Sequence, residues 1–90
     1  MFEWDEKKSR RNREERGLAF DAVQRLFLNP FVEWVDDRKD YGETRMIVIG
    51  AVDGLVLTAV YTWRGERRRI ISLRLANRVE RDAYRQKIDG

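Results

Sequence analysis

The sequence has no cysteine and no histidine. Without Cys there are no disulfides, thiolate metal sites or cysteine nucleophiles. Without His, the side chain best suited to proton transfer near neutrality is missing, and so is the commonest metal ligand. No stretch approaches the ~20 apolar residues that cross a bilayer. The opening residues, MFEWDEKKSR, carry acids where a signal peptide needs a cationic and then an apolar run. The expectation is a soluble, cytoplasmic chain with no membrane partner, no cofactor and no metal.

What the chain has is charge. Of its 90 residues 39% are charged and 42% hydrophobic. That is too apolar for a disordered tail, and it fits one small domain over 1–90 with a modest core. The net charge of +3 is unevenly spread: residues 46–90 hold nine basic against five acidic side chains, residues 1–45 ten against eleven. Between 64 and 85, Arg64, Arg67, Arg68, Arg69, Arg74, Arg78, Arg81 and Arg85 stand against Glu66, Glu80 and Asp82. Arg binds phosphate through planar bidentate hydrogen bonds and stacks on bases, whereas Lys acts as a hydrated point charge. Two readings fit this run: a solvated, self-paired surface, or a surface that tracks the phosphates of RNA or DNA.

Local signals order the chain. Phe2–Trp4 reads as an edge strand and Asp5 as a helix N-cap, with Lys8 where a capping box wants Glu. Residues 6–16 have no apolar stripe, so a helix there needs tethering at the sheet edge or a partner. Gly17 is a C′ stop. Leu18, Val23, Leu26 and Phe27 repeat with a helical period until Asn29-Pro30. Phe31–Val35 reads as a strand. Residues 43–52 and 55–63 are β-branched runs joined by Asp53-Gly54, a strong hairpin signal. Arg64-Gly65 turns the chain into 66–75. Asn77 caps a last helix, with Val79, Ala83, Tyr84 and Ile88 facing inward. Trp4, Trp34 and Trp63 read as core and edge anchors. The order βααββββα implies an α+β fold with a small antiparallel sheet packed by helices.

Two-residue turns would pair Val52 with Leu55, Val48 with Ala59, Tyr61 with Arg68 and Leu57 with Ser72. Tyr61, Arg68, Ser72 and Arg74 then share one face, and Arg67, Arg69, Ile71 and Leu73 the other. A single bulge would exchange those sets.

The blocks Phe2-Glu3-Trp4-Asp5-Glu6, Asn12 with Gly17 and Phe20, Asn29-Pro30, Tyr61-Thr62-x-Arg64-Gly65-Glu66, Arg69-Ile70-Ile71-Ser72-x-Arg74 and Glu80-Arg81-x-x-Tyr84 resemble the BrnT family of toxins. The resemblance implies a RelE-like fold and a type II toxin–antitoxin ribonuclease that works without metal and blocks translation. It also implies a ribbon-helix-helix antitoxin of the BrnA kind, bound in a toxin–antitoxin heterotetramer. The family usually carries His where this chain has Arg16, and Ser or Thr where it has Ala19.

Metal-free RNA cleavage needs a base, in-line geometry, cations around the transition state and an acid for the leaving oxygen. Arg69 and Arg74 are the candidates for charge stabilisation. Ser72 is the candidate donor to a phosphate oxygen, and Glu80 the candidate base or orienter, unless it merely pairs with Arg74 or Arg81. Arg64, Tyr61, Arg68, Arg78, Arg16 and Lys8 are candidate substrate-binding residues. The alternative function is a non-catalytic RNA-binding or protein-interaction domain with an arginine-rich face.

Overall fold

Asp53 and Gly54 both take positive φ, 52° and 81°, the conformation of a type I′ turn whose twist matches its flanking strands. The hairpin expected there forms in the expected register, with Val52 opposite Leu55 and Val48 opposite Ala59. A computed structural model describes residues 1–89, and around this hairpin it builds β1 (Phe2–Trp4), α1 (Glu6–Arg16), α2 (Ala22–Leu26), β2 (Phe31–Asp36), β3 (Arg45–Val52), β4 (Leu55–Arg64), β5 (Arg67–Leu75) and α3 (Arg78–Ile88). The sheet order is β1-β5-β4-β3-β2. The fold is α+β in the expected element order.

The sheet is mixed, not wholly antiparallel. β1 runs parallel to β5, Phe2 opposite Arg68 and Trp4 opposite Ile70. No hairpin ties β1 to a neighbour, so its direction is set by tertiary pairing that no local signal carries.

The second turn also differs. Arg64 pairs with Arg67, so the turn residues are Gly65 and Glu66. Gly65, at φ 60°, takes the first central position, where a type II′ turn uses glycine. Tyr61 therefore faces Ile70 rather than Arg68, and a bulge follows, because Val60 pairs with Ser72 and leaves Ile71 over. The bulge restarts the alternation. Tyr61 and Arg68 stay on one face as expected, while Ser72 and Arg74 move to the face of Arg67 and Arg69.

One face packs against α2: Phe20, Val23 and Leu26 meet Val48, Val52, Leu57, Ala59, Tyr61, Ile70 and Leu73. Each of the Phe, Val, Leu and Ile side chains among them contributes about 1.5–3 kcal/mol on burial. The opposite face carries α3 over only one end, where Tyr84 packs with Ile49, Ala76, Val32, Ala51 and Val56. Of the four α3 residues expected inward only Tyr84 is buried; Val79 is 77% exposed.

α1 is tethered by polar bonds, as its lack of an apolar stripe requires. Asp5 accepts from the amides of Lys7 and Lys8, Ser9 Oγ accepts from the Phe20 amide at 2.9 Å, and Asn12 Nδ2 donates to the carbonyls of Leu18 and Leu73. These bonds hold α1 beside the part of β5 that β1 does not cover. They also engage the backbone of 18–20, so α2 starts at Ala22 and not at Leu18.

α2 sits directly on Gly50, where an added Cβ would stand 2.9 Å from Leu26 Cγ and Cδ2. Gly50→Ala should cost about 1–3 kcal/mol by overpacking. In urea denaturation, Leu26→Ala in the Gly50→Ala background should cost less than Leu26→Ala alone.

Candidate functional site

The face that α3 leaves half open is written in rows across the strands. One row reads Glu3, Arg69, Thr62, Arg45, Asp36. The next reads Ser72, Val60, Ile47, Trp34 and the third Arg74, Thr58, Ile49, Val32. Polar and cationic rows thus flank an apolar floor. Trp34, at 42% exposed, is no core anchor; it lies at the open end of that floor.

Arg74 is held by a two-point ion pair. Its Nη1 and Nη2 donate to Glu80 Oε1 and Oε2 at 2.7 and 2.9 Å. Glu80 occupies the third position of α3, where it completes the capping box with Asn77. Its Oε1 also accepts from the Asn77 amide at 2.9 Å and from Thr58 Oγ1 at 3.1 Å. One carboxylate therefore starts α3, bonds β4 and orients Arg74. The Arg74 hydrogen bonds hold the Glu80 carboxyl below its ordinary pKa, with the Asn77 amide and Thr58 hydroxyl acting the same way against burial. In return Glu80 raises Arg74, while burial and the nearby Arg38 charge work against it.

Arg69 Nη1 donates to Glu3 Oε2 at 2.8 Å across the β1–β5 pair. Ser72 lines a shallow depression with Lys8, Arg11, Asn12 and Arg16 along the seam between α1 and β5. Arg16 also lines a depression with Arg74 and Leu75. The structure therefore gathers six of the candidate residues, Lys8, Arg16, Arg69, Ser72, Arg74 and Glu80, around the open half of β5.

The other four are elsewhere or at the margin. Tyr61 is fully buried on the α2 face, where its hydroxyl donates to Glu33 Oε1 at 2.6 Å; burial first, then Glu33, raises its pKa. Arg68 is on that face too, its guanidinium 4.2 Å from the Phe27 ring and 4.6 Å from Trp63. Four rings box it, those of Phe2 and Tyr61 included, and its Nε is buried without a hydrogen-bond partner. That is a cation–π anchor for the sheet. The register alone removes both residues from the Arg69–Arg74 face. Arg64 lies at the end of β4, 3.6 Å from Glu43, and Arg78 is exposed at the start of α3.

Sequence reasoning missed Glu3 as the partner of Arg69, and missed Asp36 and Arg38 altogether. Asp36 is buried and accepts from Arg38 Nε and Nη2 at 2.8 Å each and from the Tyr41 hydroxyl at 3.1 Å. The available signal was alternation: Asp36 extends β2 by one residue and falls in phase with Trp34 and Val32.

Asp36 and Glu80 both have lowered pKa values, Asp36 chiefly through the Arg38 hydrogen bonds. Their stabilising contribution is complete above the unfolded carboxylate range, about pH 4–5, and is lost as pH falls through the lower folded values. The urea midpoint should thus be flat above about pH 5 and decline below about pH 4. Glu80→Gln should be less stable at neutral pH and show a shallower acid decline.

No curated protein matches the chain. A family model described as the ribonuclease toxin BrnT of type II toxin–antitoxin systems matches residues 4–80. That span runs from the end of β1 to Glu80, so every residue gathered around the open half of β5 lies within it, and the chain belongs to the BrnT family of ribonuclease toxins.

Proposed function

We propose that the open half of β5 binds an RNA phosphodiester and cuts it without metal, and that this cleavage blocks translation in the cytoplasm. The single observation behind this reading is the Arg74–Glu80 pair: a guanidinium fixed by both carboxylate oxygens, 36% exposed, on the part of β5 that β1 leaves uncovered. In the reaction the ribose 2′-hydroxyl gives its proton to water as its oxygen attacks the adjacent phosphorus, the bond to the 5′-oxygen breaks and that oxygen takes a proton from water, so a 2′,3′-cyclic phosphate and a 5′-hydroxyl result. Arg69 and Arg74 offset the charge that accumulates on the phosphoryl oxygens, the kind of preorganised stabilisation that often dominates catalysis. Ser72 donates to the same oxygens, and Lys8 and Arg16 attract the strand. Arg16 stands where the family usually has His, and this favours charge stabilisation over imidazole proton transfer at that position.

Glu80 acts as the orienter of Arg74, not as the base. Its carboxylate already accepts four hydrogen bonds and its pKa is lowered, so it has little tendency to take a proton. Arg64 and Arg78 are peripheral attractors. A ribbon-helix-helix antitoxin of the BrnA kind, in a heterotetramer, would neutralise the toxin by covering these cations.

A second reading, RNA binding without cleavage, is favoured by a specific observation: both central arginines are already ion-paired, and the chain has no His. One experiment separates the two. Purified protein in EDTA should cut single-stranded RNA and leave a cyclic or 3′-phosphate end. Arg74→Ala should lower the rate by about 10²–10³-fold, with circular dichroism showing the fold retained. Induced expression should arrest growth with the wild type and spare it with Arg74→Ala. Salt-sensitive RNA binding with no cleavage and no growth arrest would favour the second reading.

A further inference from the structure

The two edges of the sheet are finished differently. At one, β1 is three residues long, and beyond it α1 meets the edge of β5 with Asn12 Nδ2 on the Leu73 carbonyl. At the other, β2 runs for six residues and pairs only with β3, in a register without a bulge. Among the described residues, no backbone–backbone bond other than that ladder reaches 32–36. α3 touches only the Pro30 carbonyl before the strand, through the Tyr84 hydroxyl. Short edge strands, prolines, lysines and bulges guard a sheet against edge pairing, and β2 has none of them.

The middle of β2 is apolar on both faces. Trp34 is 42% exposed on the α3 face, and Val35 is 51% exposed on the α2 face. The strand's two acids are engaged within their own fold. Glu33 reaches inward across β3 to the Tyr61 hydroxyl on β4, and the buried Asp36 is held by Arg38 and Tyr41. Neither carboxylate is aimed off the edge.

Read against itself, β2 selects its own partner. In an antiparallel pair, residues directly opposite point to the same face, so a two-fold pair of β2 strands is centred on a residue and not between two. Two centres pair five residues of the strand, 31–35 about Glu33 or 32–36 about Trp34. The first sets Glu33 against Glu33, like charges directly opposed. The second sets Trp34 against Trp34, Glu33 against Val35 and Val32 against Asp36, so no acid faces an acid. Trp34 is also the middle of the exposed run 33–35.

We infer that two copies of this chain dimerise through β2, antiparallel and centred on Trp34, into one continuous sheet. The interface is isologous, each edge closing the other. Its two-fold axis stands perpendicular to the sheet, so both open faces lie on the same side. The floor of Val60, Ile47 and Trp34 then runs on into Trp34 of the second copy, and the two β5 strands stand about 33 Å apart.

Sedimentation equilibrium of the full-length protein, from about 1 μM to about 1 mM, should show the monomer giving way to twice its mass. Trp34→Lys sets an ammonium against its own copy and should weaken the dimer about tenfold or more. Val35→Lys faces Glu33 of the second copy and should not weaken it. Leu28→Lys, at a residue 83% exposed outside the sheet, should leave it unchanged. Because the chain has no cysteine, a single introduced thiol reports the register: Trp34→Cys should oxidise to a disulfide-linked dimer faster than Leu28→Cys. A monomer over the whole range would overturn the dimer. Trp34→Lys, folded by circular dichroism and as dimeric as the wild type, would overturn β2 as its interface, and so would Trp34→Cys cross-linking no faster than Leu28→Cys. Equal weakening by Trp34→Lys and Val35→Lys would overturn the register. The RNA reading stands or falls separately from all of these.

Discussion

Bidentate pairing between a carboxylate and a guanidinium is the constraint on which the open face depends. An arginine side chain has about 2 kcal/mol of rotamer entropy to lose before it can hold anything still. Here much of that cost is met on folding, not on binding. Glu80 holds Arg74 and Asp36 holds Arg38 through two hydrogen bonds each, and Glu3 holds Arg69 through one. Each pair neutralises charge on one edge of the fork and leaves the other edge directed outward. Such a surface is less cationic than its arginine count implies and better organised.

The same carboxylates are structural, so the site and the fold are one assembly. Glu80 completes the cap of α3, bonds Thr58 on β4 and aligns Arg74 on β5. Glu3 reaches Arg69 only because β1 pairs with β5 in parallel. Asp36 closes the segment between β2 and β3 around Arg38 and Tyr41. The opposite face spends its one misplaced cation differently. Arg68 is packed among aromatic rings over the core that α2 covers, and there it braces the sheet.

What could be read from the residues alone was what local chemistry decides. Asp53-Gly54 favours a turn with positive φ, Gly17 takes φ 73° at the end of α1, and Asn77 caps α3 with its own side chain; that Glu80 completes this cap was not read. The parts that could not be read turn on single residues in tertiary context. Whether Gly65 fills the first or second turn position moves the pairing by two residues, and only packing of both Ile70 and Leu73 into the core forces Ile71 out as a bulge. That bulge decides that Ser72 and Arg74 join Arg69, so the candidate set was legible as residue types but not as a face. Tyr61 and Arg68 show the reverse: their shared face was legible, and its distance from the other arginines was not. Asp36 and Arg38 were hidden because a buried carboxylate in a charged segment looks like any other turn acid.

The most direct test of the account is to follow the arginine Nε–Hε resonances of isotope-labelled protein while single-stranded 2′-O-methyl RNA is added. The account predicts that Arg69 and Arg74 shift together and saturate together, while Arg68, enclosed by rings on the far face, does not move. Shifts confined to Arg68 and its neighbours, with Arg69 and Arg74 silent, would contradict it.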